Sequence, residues 1–181
     1  MSCRIWLISD THFGHDNIYT FIGLDGKRIR DRFVGVREGD AYMLERWRTL
    51  VTPQDHVYHL GDVTMARTNS QKDAFITLMR SLPGHKRLLR GNHDHFPTKV
   101  YLDAGFEEIY GTRKLGHLIL SHYPIHPMSI PSWCKANVHG HIHERPVFSE
   151  RHINVSVEAI NYEPVLLDTL YGDIVPKELG R

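Results

Sequence analysis

The chain has 181 residues, 41% of them hydrophobic and 24% charged, with a net charge of +1. That balance suits one domain spanning 1–181 with a substantial core, and it argues against obligatory electrostatic binding to long nucleic acid. Two cysteines, Cys3 and Cys134, do not make a disulfide framework, and a reduced cytoplasmic chain is expected. No apolar stretch approaches membrane-spanning length, and Ile5–Ile8 is too short for a signal peptide core.

Arg4 to Ser9 reads as a buried central strand that stops at Asp10. A short helix is expected near Asp16 to Phe21, followed by a hairpin turning at Asp25-Gly26. The first long helix spans about Glu38 to Val51, with Met43, Trp47, Leu50 and Val51 on one face. After a strand at His56–Leu60, a second helix runs from about Gln71 to Leu82, with Asn69 or Ser70 as its cap and Pro83-Gly84 as its stop. Lys86–Arg90 reads as a strand and Thr98–Ala104 as a short helix. Strands at His117–Leu120, Asn137–His139 and Ile153–Val157 and a short helix at Leu166–Leu170 complete the series. Strands alternating with helices predict an α/β domain whose ligands collect on loops beyond the strand ends.

Most of these strands run into a short polar motif. The motifs are Asp10-Thr11-His12, Gly61-Asp62, Gly91-Asn92-His93-Asp94, Ser121-His122 and Gly140-His141-Ile142-His143. Together they supply carboxylate, imidazole and amide groups, a mixture suited to a pair of divalent cations. Gly61 permits close backbone approach, so Asp62 can reach between two ions. A carboxylate can bridge two metals and a neutral imidazole nitrogen cannot, which makes Asp62 the choice of bridge. Asn92 offers an amide oxygen, and His141 and His143, two apart on an extended segment, share a face. The other histidines of the 14 carry less: His59, His95 and His139 read as packed or solvated side chains, while His15 and His126 are kept as substrate contacts.

In this order the motifs resemble the calcineurin-like metallophosphoesterase family, whose pattern is D-x-H, G-D, G-N-H-[DE], H and G-H-x-H. The matched region covers roughly the first four-fifths of the chain. The resemblance implies a four-layer α-β-β-α sandwich with two mixed β-sheets and the metal site on loops at the strand ends. It implies one metal on Asp10, His12 and His143 and a second on Asn92, His122 and His141, with Asp62 bridging. It also places His93 beside the reacting phosphate, with Asp94 orienting it. The short segments between motifs leave no room for a large cap domain, and a small, cap-free chain with an open site resembles the bacterial and phage-type phosphodiesterases more than the large phosphatases.

Two divalent ions about 3.5–4 Å apart can hold a bridging water, lower its pKa and align it for in-line attack on phosphorus. His93 would assist the leaving oxygen. Oxygen and imidazole donors without thiolate favour Mn²⁺ and permit Fe²⁺, Ni²⁺, Co²⁺ or Zn²⁺. The expected partner is a small phosphodiester or nucleotide; the alternatives are a nucleotide or protein phosphomonoesterase and a non-catalytic metal-binding scaffold. Further substrate contacts are expected from Asn92, from Arg30 within the basic cluster Lys27, Arg28, Arg30 and Arg32, and from Tyr123. Trp133 and Tyr162 are weighed as pocket aromatics beside Tyr123.

Overall fold

The computed structural model describes residues 3–174; residues 1–2 and 175–181 of the one-domain expectation lie outside the described residues. In chain order the elements are β1 (Ile5–Ile8), a 3₁₀ turn (Asp16–Tyr19), α1 (Val36–Leu50), β2 (His56–His59), α2 (Asn69–Arg80), β3 (His85–Leu89) and α3 (Thr98–Asp103). Then follow β4 (Phe106–Tyr110), β5 (Thr112–Leu115), β6 (Leu118–Ser121), a 3₁₀ turn (Pro127–Ser129), β7 (Ala136–His139), β8 (His152–Asn154), β9 (Val165–Leu166) and α4 (Leu167–Ile174). Among the described residues no helix is long and apolar enough to cross a membrane.

The strands form two mixed sheets, ordered β4-β3-β2-β1-β9 and β5-β6-β7-β8. β1 to β4 run parallel and β9 antiparallel; β6 to β8 run parallel and β5 antiparallel. Side-chain alternation then divides the core in two. Trp6, Ile8, Val57 and Leu88 face α1 to α3, joining Met43, Trp47, Phe75, Met79 and Tyr101. Leu7, Tyr58 and Leu89 point the other way and meet Leu118, Leu120, Ala136 and Val138 of the second sheet. Leu167 and Leu170 tie α4 into that inter-sheet core. In the second sheet, buried Asn137 accepts from Ile125 N–H and donates to Ser121 Oγ.

Local details differ from the sequence expectation for stated reasons. The helix expected near Asp16 is a single 3₁₀ turn. Thr68, not Asn69 or Ser70, caps α2, because its Oγ1 accepts from Gln71 N–H while the Gln71 side chain accepts from Thr68 N–H. β4 and β5 carry Glu107, Glu108, Arg113 and Lys114 outward at sheet edges, so no apolar run announced them. The Asp25-Gly26 hairpin is present, with Gly26 at φ +79° and an antiparallel bridge between Ile22 and Arg28.

Because β1, β2, β3, β6 and β7 are parallel within their sheets, the loops at their C-terminal ends lie along one edge. At the opposite end Asp55 ties the strand entries together. Its carboxylate accepts from Arg4 N–H (3.0 Å), the Arg4 guanidinium (2.9 Å), Trp6 Nε1 (3.1 Å) and Thr52 N–H (2.8 Å). Burial opposes its charge, but these donors hold the carboxyl well below the usual range. A folded-state pKa below the unfolded value gives stability that is complete above about pH 5 and is lost as pH falls through the carboxylate range. Asp55→Asn should therefore lose about 1–3 kcal/mol of stability at pH 7 and show a smaller further loss at pH 3 than wild type, as read from urea unfolding at the two pH values.

Candidate metal centre

The backbone at the strand ends is unusual. Asp10, His12, Asp62, His141 and His143 have positive φ, from 48° to 71°, shared among described non-glycine residues only by Asn161 and Tyr162. A left-handed backbone costs such residues about 1–3 kcal/mol each. Hydrogen bonds between loops hold two of them in place: Asp10 N–H donates to Gly61 O, and His12 N–H to Asp62 O, both at 3.0 Å. Two glycines let the loops close. A Cβ on Gly140 would strike Ser9 Oγ and the Asp10 carboxylate, and one on Gly91 would strike the Asp62 carboxylate.

The motif residues meet in two groups. Asp10, His12 and His143 each present one donor atom, all within 4.8 Å of one another; Asp62, His122 and His141 do the same. Asp62 Oδ2 lies 3.7 Å from His12 Nε2 and 3.5 Å from His122 Nε2, so it faces both groups. Asn92 Oδ1 stands 2.9 Å from His122 Nε2. The Leu60 carbonyl can only accept, so His122 Nδ1, 2.8 Å away, carries the proton and Nε2 turns a lone pair toward Asn92. His143 Nδ1 faces Glu158 Oε2 at 3.1 Å, which leaves Nε2 to a cation.

These groups are crowded and short of positive charge. Burial pushes the Asp62 carboxyl up to about 7; His122 opposes the rise and Asp10 adds to it. Burial, then His143 and Arg30, hold His12 well below the usual imidazole range. Asp10 Oδ1 and both ring nitrogens of His12 are buried without a hydrogen-bond partner among the described residues. Such orphaned groups cost about 1–3 kcal/mol each, and a bound cation would satisfy the acceptors among them. Oxygen and imidazole donors without thiolate complete the fit to divalent cations at two candidate sites.

The first group rests on a buried ion pair that the sequence did not reveal. Arg30, fully buried, donates from Nε to Glu158 Oε1 at 2.8 Å, and its remaining nitrogens donate to Asp10 O at 2.7 Å and Thr11 O at 3.1 Å. Burial opposes the Glu158 charge, yet Arg30 and His143 hold its carboxyl down to about 2. The same burial works against charge on His143, which Glu158 nonetheless raises to about 9. The expected substrate contact at Arg30 is thus corrected: its donors are committed to the loop and to Glu158. A carboxylate one residue after the last apolar strand run was the only sequence signal for Glu158.

Asp94 is corrected as well. Rather than orienting His93, its oxygens accept from the Asp62, Val63 and Gly91 N–H groups at 2.8–3.1 Å. The basic cluster does not act together, since Arg32 lies over the Tyr42 ring at 4.3 Å and bonds Asn161. Tyr162 is buried against Phe33, with its hydroxyl donating to Ile29 O at 3.4 Å. Tyr123 is half exposed, with its ring 4.5 Å from His141 and 5.0 Å from His122. His15 stands 5.7 Å from His12, whereas His126 accepts from Met128 N–H and caps a local turn. Lys114 lies over Trp133 at 4.4 Å. His59 and His139 are buried, bonding Thr11 Oγ1 and Gly140 O.

Fold and site together define a phosphoesterase with two candidate metal sites. The calcineurin-like phosphoesterase family pattern matches residues 3–142, and the chain belongs to that family. An uncharacterised protein of Methanocaldococcus jannaschii is 34% identical over 92% of this chain and 89% of its own length. The gene 66 protein of Mycobacterium phage L5 is 30% identical over 82% of this chain and 81% of its own. A solved Aquifex aeolicus protein of unknown function shares 29% identity with a TM-score of 0.71, covering 93% of this chain and 98% of that one. Pseudomonas putida nuclease MPE, 20% identical with a TM-score of 0.50 over 77% and 62% of the two chains, shares the fold alone.

Glu158→Gln preserves shape and removes the charge behind His143. Mn²⁺ affinity at one of the two sites should fall about 10–100-fold with the other held, as read by isothermal titration with metal counting. Unchanged binding at both sites would remove Glu158 from a positioning role.

Proposed function

We propose that this chain is a dinuclear-metal phosphodiesterase. The observation that carries the reading is the Asp62 carboxylate, whose Oδ2 lies 3.5 Å from His122 in its own ligand group and 3.7 Å from His12 in the other. Asp10, His12 and His143 would hold one cation, and His122, His141 and Asn92 the other, with Asp62 shared. Bound there, two divalent ions supply an activated water nucleophile and positive charge for the phosphate oxygens. Mn²⁺ suits the hard carboxylate and amide oxygens of this mixed donor set; Fe²⁺, Co²⁺, Ni²⁺ and Zn²⁺ are compatible with its four imidazoles.

His93 supplies what the ligands do not. Its Nε2 lies 4.0 Å from Asp62 Oδ2, its side chain is 37% exposed, and its backbone N–H holds Asp62 Oδ1 at 2.8 Å. Burial, then His95 and Arg67, lower its pKa in the substrate-free protein. An arriving phosphate anion favours the protonated ring, which then faces the leaving oxygen as a proton donor. The same hydrogen bond from the backbone keeps the ring beside the Asp62 carboxylate.

His93 and Tyr123 both reach solvent at the site, which supports a diester, whose second ester group must project away from the metals. Both thiols are free, Cys134 buried and Cys3 exposed, which supports a cytoplasmic setting.

His93→Ala should lower kcat about 10²–10⁴-fold with metal content retained. Asp62→Asn should lose metal as well as turnover, and a fully metallated, active Asp62→Asn would reject the shared-carboxylate reading. The assay is hydrolysis of bis(p-nitrophenyl) phosphate against p-nitrophenyl phosphate by Mn²⁺-reloaded protein. A preference for the monoester would replace the diesterase with a phosphatase.

A further inference from the structure

We propose that a cleft beside the metal ligands binds the nucleoside part of a nucleotide ester, an inference that rests on the phosphoesterase reading above. The cleft lies between the hairpin at 21–29 and the loop at 141–145, with a volume of about 280 Å³. Its apolar walls are Ile22, Leu24 and Ile29 on one side and Ile142 on the other. His141 and His143, one from each ligand group, form the end nearest the metals. A phosphorus held there would have its organic substituent directed into this space.

Three observations make the cleft a site rather than loose surface. The hairpin is pinned: Gly23 N–H donates to Lys27 O at 2.8 Å and Ile29 N–H to Phe21 O at 2.9 Å. It also sits against the 141–145 loop, since a Cβ on Gly23 would come within 3.1 Å of Glu144 Oε1. Finally, Ile22 and Leu24 are 62% and 78% exposed, so an ordered segment turns large apolar side chains to solvent beside a polar site.

The chemistry of the lining selects the class of ligand. Apolar walls suit the faces of a planar base, and the Glu144 carboxylate and Arg145 guanidinium at the rim offer an acceptor and donors to its polar edge. The volume of about 280 Å³ falls just below the range of about 300–1,000 Å³ for small-molecule sites, which suits one nucleoside rather than a longer chain. Exposed Lys27 and Arg28 on the same hairpin stand outside this contact.

The test compares adenosine 5′-monophosphate with ribose 5-phosphate, which lacks the base, as ligands of the Mn²⁺-loaded protein. The variant is Ile22→Ser/Leu24→Ser, whose side chains are mostly exposed; its fold and metal content are checked by circular dichroism and metal analysis. Adenosine monophosphate binding should weaken about 5- to 10-fold, as expected for lost apolar contact, while ribose 5-phosphate changes less than twofold. Equal changes for both ligands, or none for the nucleotide, would overturn the cleft assignment while leaving the phosphoesterase reading standing. Failure of wild type to bind either phosphate or to hydrolyse any ester would remove the phosphoesterase reading, and the cleft with it.

Discussion

One residue joins the separate motifs of this molecule. The Asp62 N–H donates to Asp94, its carbonyl accepts from His12, its Oδ1 accepts from His93 N–H, and its Oδ2 faces His12, His122 and His93. Its polar atoms therefore reach three other strand-end loops, those after β1, β3 and β6. Burial pushes this carboxyl up to about 7 and Asp10 adds to the rise, so added positive charge would favour its anion. The centre thus carries a charge deficit that a bound cation would fill.

Holding that deficit open requires a stiff frame. Five candidate ligand residues sit in left-handed backbone, which a free loop would relax away from. Parallel strands packed on both faces give the loops fixed starting points, and glycines at 91 and 140 let the carboxylates approach the neighbouring backbone. The Arg30–Glu158 pair adds a second restraint on the first group. An ion pair wholly out of water gains little net stability, and this one spends its hydrogen bonds on the Asp10 and Thr11 carbonyls and on the His143 ring.

Chemistry and selectivity occupy different parts of the fold. The ligands stand on turns locked to strands, where positional error is smallest. The apolar residues proposed to contact the substrate's organic part stand on a surface hairpin, where substitutions alter contact area without disturbing the core. A shared ligand set can therefore serve relatives that recognise different esters.

Much of this was legible in the sequence, because each motif acts over a few residues. A strand followed by Asp-Thr-His or Gly-His-Ile-His carries its ligands and its turn in one short segment, so order along the chain was enough to nominate all seven. The long helices were equally clear, since 3.6-residue spacing of Met43 and Trp47, or Phe75 and Met79, is a local property. Edge strands β4 and β5 were not legible, for their charged outward faces carry no apolar signal. Nor was the true work of Arg30 and Asp94, whose side chains read as a substrate contact and a partner for His93. Sequence determined which residues could bind metal. Only the tertiary structure decided that Arg30 is buried on Glu158, 128 residues away, and that Asp94 serves the Asp62 backbone. Those pairings depend on how distant strands pack, which no local pattern encodes.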